Sequence, residues 1–143
     1  FHTYLNMIKL CYKEYNWKLS EGAIKSFADQ TGLDLETVFG DYIVACMKMP
    51  KGTRDFEQAQ IYKHVYKQQI ANIALHCIIK AAHDSVSIDE ICDATSRVSW
   101  VINNRPDDLS EPWPFVMLKT ALDINDYFQN NIPKKKEAAI EAV

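Results

Sequence analysis

The chain has 143 residues, of which 48% are hydrophobic and 24% are charged, and its formal net charge is −3. This length suits a single domain whose core needs neither a metal nor a disulfide, and the acidic balance excludes a general attraction to nucleic acid or to an anionic membrane. Four glycines and five prolines favour long helices over a turn-rich β fold.

The N-terminal part of the chain predicts two helices in succession. Apolar residues spaced at i, i+3, i+4 and i+7 indicate an amphipathic helix over about residues 1–17. Ser20 is a suitable N-cap for a second helix over about 21–31, and Gly32 suits the left-handed residue that commonly follows a helix.

The middle of the chain predicts a third helix and then the longest one. Asp34 is placed to cap a helix over about 35–48. A continuous helical pattern then covers about 55–82, and its second half is apolar on nearly every side, which predicts burial on most of its surface. We therefore expect this helix to be the central one.

Two further helices follow. Ser87 and Glu90 form a capping box, in which the serine would accept a backbone N–H and the glutamate would reach back, at the start of a helix to about residue 103. Asp108 or Ser110 would cap the last long helix.

These elements predict an all-α fold, a compact single-domain bundle of five to six helices around a buried central helix at about 55–82. The helical domain is expected to cover 1–132, and 133–143 is a polar C-terminal tail that is a candidate for disorder. The longest mainly apolar segment, 70–79, is too short to cross a bilayer, so no membrane association is expected.

Residues 23–44 resemble the helix-turn-helix families of DNA-binding proteins. The resemblance rests on a small residue, a glycine four positions later and an apolar residue six positions after that, which are Ala28, Gly32 and Val38. It implies a DNA-binding regulator that reads DNA with its second helix. That helix would carry Asp34 and acidic neighbours toward the phosphates, so nucleic acid is not the partner that the charges favour.

Motifs for catalysis or metal binding are absent from the sequence. It contains no pair of cysteines or histidines at zinc-ligand spacing, no di-iron motif, no phosphate loop and no nucleophile elbow. We therefore predict no catalytic residue, no metal and no cofactor, and interpret His76 as a hydrogen-bonded core histidine. The cysteines are expected to be reduced, buried thiols of a cytoplasmic protein, and they are Cys11, Cys46, Cys77 and Cys92.

Charge is unevenly distributed along the chain. Residues 51–82 contain five basic and two acidic residues, whereas 83–112 contain two basic and seven acidic residues. Pairing of these charges within the molecule is one interpretation, and an acidic surface for a basic partner is the other. Two tryptophans, Trp100 and Trp113, lie beside the acidic residues, and core packing is expected for at least one of them. The candidate partner-binding residues are Asp84, Asp89, Asp93, Trp100, Asp107, Asp108, Glu111 and Trp113.

The preferred hypothesis for function is a non-enzymatic protein–protein interaction module that docks through this aromatic and acidic helical surface. Helical adaptors, inhibitors and assembly chaperones, including phage-encoded ones, fit this description. The partner would be a protein, of basic character, or a second copy of the chain. A helix-turn-helix regulator that uses 23–44 is the alternative, and an enzyme with no recognisable motif is the second alternative.

Overall fold

The computed structural model describes the backbone of residues 7–10, 13–104 and 113–130, and the side chains of 7–10, 13–96 and 113–126. Within these ranges, six helices follow a short β-hairpin, and the prediction of a compact, mainly helical bundle is confirmed. The elements are β1 (Met7–Leu10), β2 (Lys13–Asn16), α1 (Glu21–Thr31), α2 (Leu35–Lys48), α3 (Asp55–Lys63), α4 (Gln68–Ala82), α5 (Ile88–Asn104) and α6 (Trp113–Asn130).

Over residues 7–10 and 13–16 the chain forms two strands, so the helix predicted over about 1–17 is wrong for this part of the chain, and 1–6 and 11–12 lie outside the described residues. β1 and β2 pair antiparallel, and Ile8 lies directly opposite Tyr15. Ile8, Leu10, Tyr15 and Trp17 are buried while Lys9, Glu14 and Asn16 are exposed, which is the alternation of a strand with one face on the core.

Packing against the helices explains why the strands form. β1 lies on α5 and α6, and β2 lies on α4. Immediately after β2, the Lys18 N–H donates to the Ile78 carbonyl at 2.9 Å, so the chain is joined to the middle of the bundle. A two-stranded hairpin is marginal on its own, and here the helices supply the apolar surface that it needs.

The corner between α1 and α2 forms as the sequence predicts. Ser20 Oγ accepts the Ala23 N–H at 3.1 Å, and the Asp34 carboxylate accepts the Thr37 N–H at 2.9 Å. Gly32 follows α1 with φ of 75°, the left-handed conformation that glycine adopts without a Cβ penalty. These short-range contacts determine where both helices begin and where α1 ends.

The predicted helix over 55–82 is two helices, because residues 64–67 interrupt it. α4 alone is the central helix and contacts α1, α5, α6 and β2. Across the contact with α5, the Thr95 hydroxyl donates to Asn72 Oδ1 at 2.8 Å, which satisfies two buried polar groups. The buried residues of α4 are Ala71, Asn72, Ala74, Leu75, Cys77, Ile78 and Ile79.

The last two helices begin close to their expected positions. The Glu90 N–H donates to Ser87 Oγ at 3.2 Å, which is one half of the predicted capping box. α6 begins at Trp113. The expected caps Asp108 and Ser110, and the tail 133–143, lie outside the described residues.

Candidate docking surfaces

The acidic residues predicted for partner binding are exposed where the structure describes them. Asp84 lies in the turn after α4, and Asp89 and Asp93 lie one turn apart on α5. Residues four apart share a helix face, so Asp89 and Asp93 contribute to one surface. Asp93 already has an interaction partner within the protein. We call the segment 84–93 the acidic edge.

One carboxylate of the acidic edge has a structural role. Glu90 Oε2 accepts a hydrogen bond from the Tyr15 hydroxyl at 2.6 Å and lies 3.0 Å from Lys13 Nζ. The hydrogen bond from Tyr15 and the contact with Lys13 hold the pKa of Glu90 below its ordinary value. Glu90 therefore links the hairpin to α5. The predicted capping box had its side chain reach back to the start of the helix instead.

The two predicted tryptophans differ in what the structure shows. Trp113 is 4% exposed and belongs to the core, as expected for at least one of the pair, so little of its side chain is available to a partner. Trp100 lies on α5, and its side chain is outside the described residues. The remaining predicted residues Asp107, Asp108 and Glu111 are also outside them.

A second surface was missed by the sequence interpretation. Met47 is 79% exposed near the end of α2, and Phe56 is 70% exposed in the first turn of α3. Val44 precedes Met47 by three positions, shares its helix face and is 45% exposed. We call residues 44–56 the α2–α3 corner.

Basic side chains surround these apolar ones. Lys48, Lys51 and Arg54 are exposed within the α2–α3 corner, where Asp55 is the one acidic residue. Arg54 also lies 3.6 Å from Glu57 in an exposed ion pair. The corner therefore combines large apolar side chains with a net positive charge.

Helix geometry explains why the apolar residues of this corner face outward. The buried positions of α2 include Val38, Phe39 and Tyr42, and Val44 and Met47 fall on the opposite side. In α3 the one buried residue is Tyr62. Phe56 is six positions away, which is about 240° around a helix, so it points away from the face that Tyr62 buries.

The helix-turn-helix corner presents acidic and neutral groups at the start of its second helix. Glu36 and Thr37 are exposed there, whereas Leu35 and Val38 are buried. Asp34 is occupied in capping α2. Between the cap and Lys48, no basic side chain is present on α2.

Among the histidine and cysteine side chains that the structure describes, His76 and Cys77 form hydrogen bonds within the bundle. His76 Nε2 donates to the Val86 carbonyl at 2.9 Å, so the predicted hydrogen bond is present, but the side chain is half-buried and not in the core. Burial raises the pKa of the Cys77 thiol. Hydrogen bonds with Ser26 and Gln30 act in the opposite direction and offset part of this increase. Among the described side chains no group of three or more potential ligands could hold a metal ion.

The cysteines depart from the prediction that all four are buried. Cys46 is exposed, Cys92 is half-buried and Cys77 is buried, and these three are free thiols. Cys11 lies outside the described residues.

Comparisons with protein-family models, with curated proteins and with solved structures give no match for this chain. None of the helices that the structure describes combines the length and the apolar character needed to cross a membrane.

Proposed function

We propose that this protein is a non-enzymatic protein–protein interaction module, of the adaptor, inhibitor or assembly-chaperone kind, that docks through the α2–α3 corner. The observation that carries the proposal is the exposure of Met47 and Phe56 beside one short connection. Solvating two large apolar side chains is unfavourable, and a partner that covers them recovers that free energy. Met adapts to irregular surfaces, and Phe is enriched at interface cores.

The charges of the corner indicate the character of the partner. Lys48, Lys51 and Arg54 would complement a protein that presents an apolar patch with an acidic rim. The acidic edge, with Asp84 and Asp89 exposed, supports a second contact with a basic surface. The partner is a protein in both cases, and free thiols at Cys46, Cys77 and Cys92 fit a reducing compartment such as the cytoplasm.

The test is a pull-down from the source organism with the wild-type chain and two matched variants. Met47→Ser with Phe56→Ser removes the two most exposed apolar side chains, and Asp84→Asn with Asp89→Asn removes two of the four negative charges of the acidic edge. We expect a protein that the wild type captures to be lost, by about tenfold or more in recovery, from the first variant, which corresponds to about 1.4 kcal/mol or more of binding free energy. Capture that is equal for the wild type and the first variant would refute docking at the corner.

Light scattering distinguishes a separate partner from self-association. A monomer that gains mass only when the captured protein is added supports an adaptor. A dimer of the wild type that the Met47→Ser, Phe56→Ser variant dissociates would instead assign the corner to contacts between copies.

DNA binding is the second candidate, and the backbone geometry of the α1–α2 corner supports it. Gly32 in the left-handed conformation and the Asp34 cap produce the tight turn that a helix-turn-helix needs. The acidic start of α2 argues for a scaffold role. In a gel-shift titration at low salt we expect only weak background, and a steep salt-dependent affinity would reverse this ranking.

A further inference from the structure

The interruption between α3 and α4 has no local cause in the sequence. Residues 64–67 are His64, Val65, Tyr66 and Lys67, and none of them is a glycine or a proline. Sharp breaks in helices usually occur at those residue types or where a side chain inserts into the hydrogen-bond ladder. The helical pattern also continues through the segment, which is why one helix over 55–82 is expected from sequence.

Contacts with α2 stabilise the interruption at residues 64–67. The Tyr66 hydroxyl donates to Asp41 Oδ2 at 2.5 Å, and the centroid of the Tyr66 ring lies 6.2 Å from that of Tyr42. Val65 is partly buried against the core. In the break itself the N–H of Val65 bonds to the Tyr62 carbonyl, three residues back, so the α-helical ladder ends there.

α3 is weakly attached to the rest of the bundle. Tyr62 is its one buried residue, and its ring meets Phe115 of α6 edge-on at 5.7 Å between centroids. Phe56 and Ile61 are exposed. The connection before α3 contains Gly52 with φ of 85°, so each end of the helix adjoins a segment that can change direction.

We propose that the junction of α3 and α4 is a conformational switch. In the bent state the hydrogen bond between Tyr66 and Asp41 holds residues 64–67 out of helical conformation, so α3 and α4 are separate helices. In the straight state that bond is broken, residues 55–82 form one continuous helix, and α3 leaves α2 and α6, which uncovers Phe115. Local helix-forming tendency favours the straight state, whereas the bond between Tyr66 and Asp41 and the burial of Tyr62 favour the bent one, and the balance of these contributions sets the two populations. The switch is inferred from other contacts than the docking surface, and Phe56 of that surface would move with α3 in the straight state.

A proline variant can lock the bent state. Lys67 has φ of −64° and ψ of 150°, the extended conformation that a residue before proline prefers. Gln68 is the first residue of α4, where proline is tolerated because the N–H needs no helical partner. In a continuous helix over 55–82 the same proline would remove a hydrogen bond and clash with the preceding turn. Gln68→Ala is the matched control, because both variants lose the side-chain bond to Thr95 at 3.4 Å.

The readout is the backbone ¹³Cα shift of residues 64–67 together with amide hydrogen exchange in this segment. Tyr66→Phe keeps the ring and removes the hydroxyl. We expect it to raise the population of the straight state roughly tenfold or more, as for loss of one hydrogen bond to a carboxylate. The Lys67 shift should then move toward helical values and the amides of 66–69 should gain protection. Adding Gln68→Pro should reverse both changes, and adding Gln68→Ala should not.

Two outcomes would overturn the switch. One is a Tyr66→Phe protein that keeps the wild-type shifts at 64–67 and is only less stable. The other is measured on the wild type and serves if Tyr66→Phe does not fold. Relaxation dispersion at 64–67 that is absent from the wild type contradicts the proposal, and so does dispersion that Gln68→Pro leaves unchanged. Dispersion that Gln68→Pro abolishes and Gln68→Ala retains supports it.

Discussion

At the residue scale, two buried polar atoms have no hydrogen-bond partner among the described residues: Trp17 Nε1 and the Tyr42 hydroxyl. Burial raises the pKa of Tyr42 well above its ordinary value, and the nearby Tyr66 adds to the effect. A buried hydroxyl without a partner keeps its desolvation cost and gains nothing in return. The contribution of Tyr42 to stability therefore comes from its ring.

Replacing Tyr42 by Phe is predicted to leave the free energy of unfolding unchanged or to raise it by up to about 1 kcal/mol. The matched variant Tyr66→Phe loses the bond to Asp41 and should lower the free energy by about 1–2 kcal/mol. Urea denaturation of both proteins checks the pair. A Tyr42→Phe protein that is destabilised by more than 1 kcal/mol would mean that the hydroxyl has a partner.

The lowered pKa of Glu90 makes the stability of the protein depend on pH. Its pKa in the folded protein lies below the ordinary 4.5, because Tyr15 and Lys13 stabilise the carboxylate. The unfolded chain then binds the proton more readily, so the stability from these contacts is present above pH 4.5 and is lost as the pH falls through the folded pKa.

Glu90→Gln should accordingly lower the free energy of unfolding at pH 7 by about 1 kcal/mol, since the site is partly exposed. The difference from wild type should vanish as the solution is acidified past the folded pKa. Urea denaturation over a pH series measures both effects, with Glu57→Gln, in an exposed ion pair, as the control that stays within about 0.5 kcal/mol. A difference that is constant with pH would contradict the assignment.

At the element scale, helix ends are determined locally, and two glycines test this. Gly32 follows α1 at φ of 75°, and Gly40 lies inside α2; a Cβ added at either would meet no atom within 4 Å. Any difference between their alanine variants therefore reports backbone conformation and not a steric clash.

Gly32→Ala is predicted to lower the free energy of unfolding by about 1 kcal/mol or slightly more, because alanine is strained in the left-handed region. Gly40→Ala is predicted to raise it by about 0.5–1 kcal/mol, because alanine is favoured inside helices. Thermal and urea denaturation give both values. Equal signs for the two variants would be inconsistent with the helix boundary placed between 31 and 35.

The break between α3 and α4 is an element-scale feature with a non-local origin. The bond between Tyr66 and Asp41 joins residues 25 positions apart, so no window of neighbouring residues reports it. Gln68, Asn72 and Thr95 then fix how α4 meets α5 through a chain of side-chain hydrogen bonds. Such polar contacts help to specify one arrangement among several that apolar packing permits.

At the scale of the whole molecule, the hairpin completes the core. Its buried side chains Ile8, Leu10, Tyr15 and Trp17 pack in the same cluster as α1, α2, α4, α5 and α6. Burying each is worth about 1.5–3 kcal/mol, so together they approach the full stability of a typical domain, about 5–15 kcal/mol.

Deletion of residues 1–18 is therefore predicted to abolish cooperative unfolding. The product should retain much of its helical far-UV signal and lose its near-UV signal, because the remaining helices would lack part of their core. Circular dichroism during heating measures this. The control Lys9→Ser with Glu14→Ser keeps the core and alters one exposed cross-strand pair, and it should change stability by less than about 1 kcal/mol. A truncated chain with native near-UV signal and a sharp transition would contradict the role given to the hairpin.

The candidate site was predictable in part. Asp84 and Asp89 were expected at the surface and are exposed there, because a carboxylate stays in water unless it is paired. Glu90 was expected to complete a cap, and only the structure shows that it joins Tyr15 and Lys13. The exposure of Met47 and Phe56 depended on which helix faces were covered by neighbours, so composition did not indicate it.

By itself, the sequence determined the helical class, the caps at Ser20, Asp34 and Ser87, and the turn at Gly32, because capping and left-handed conformations act over a few residues. The tertiary structure decided between strand and helix over 7–10 and 13–16, and between one helix and two over 55–82. In both segments local preferences were compatible with a helix, and the free energy of packing against residues distant in the chain selected the other conformation.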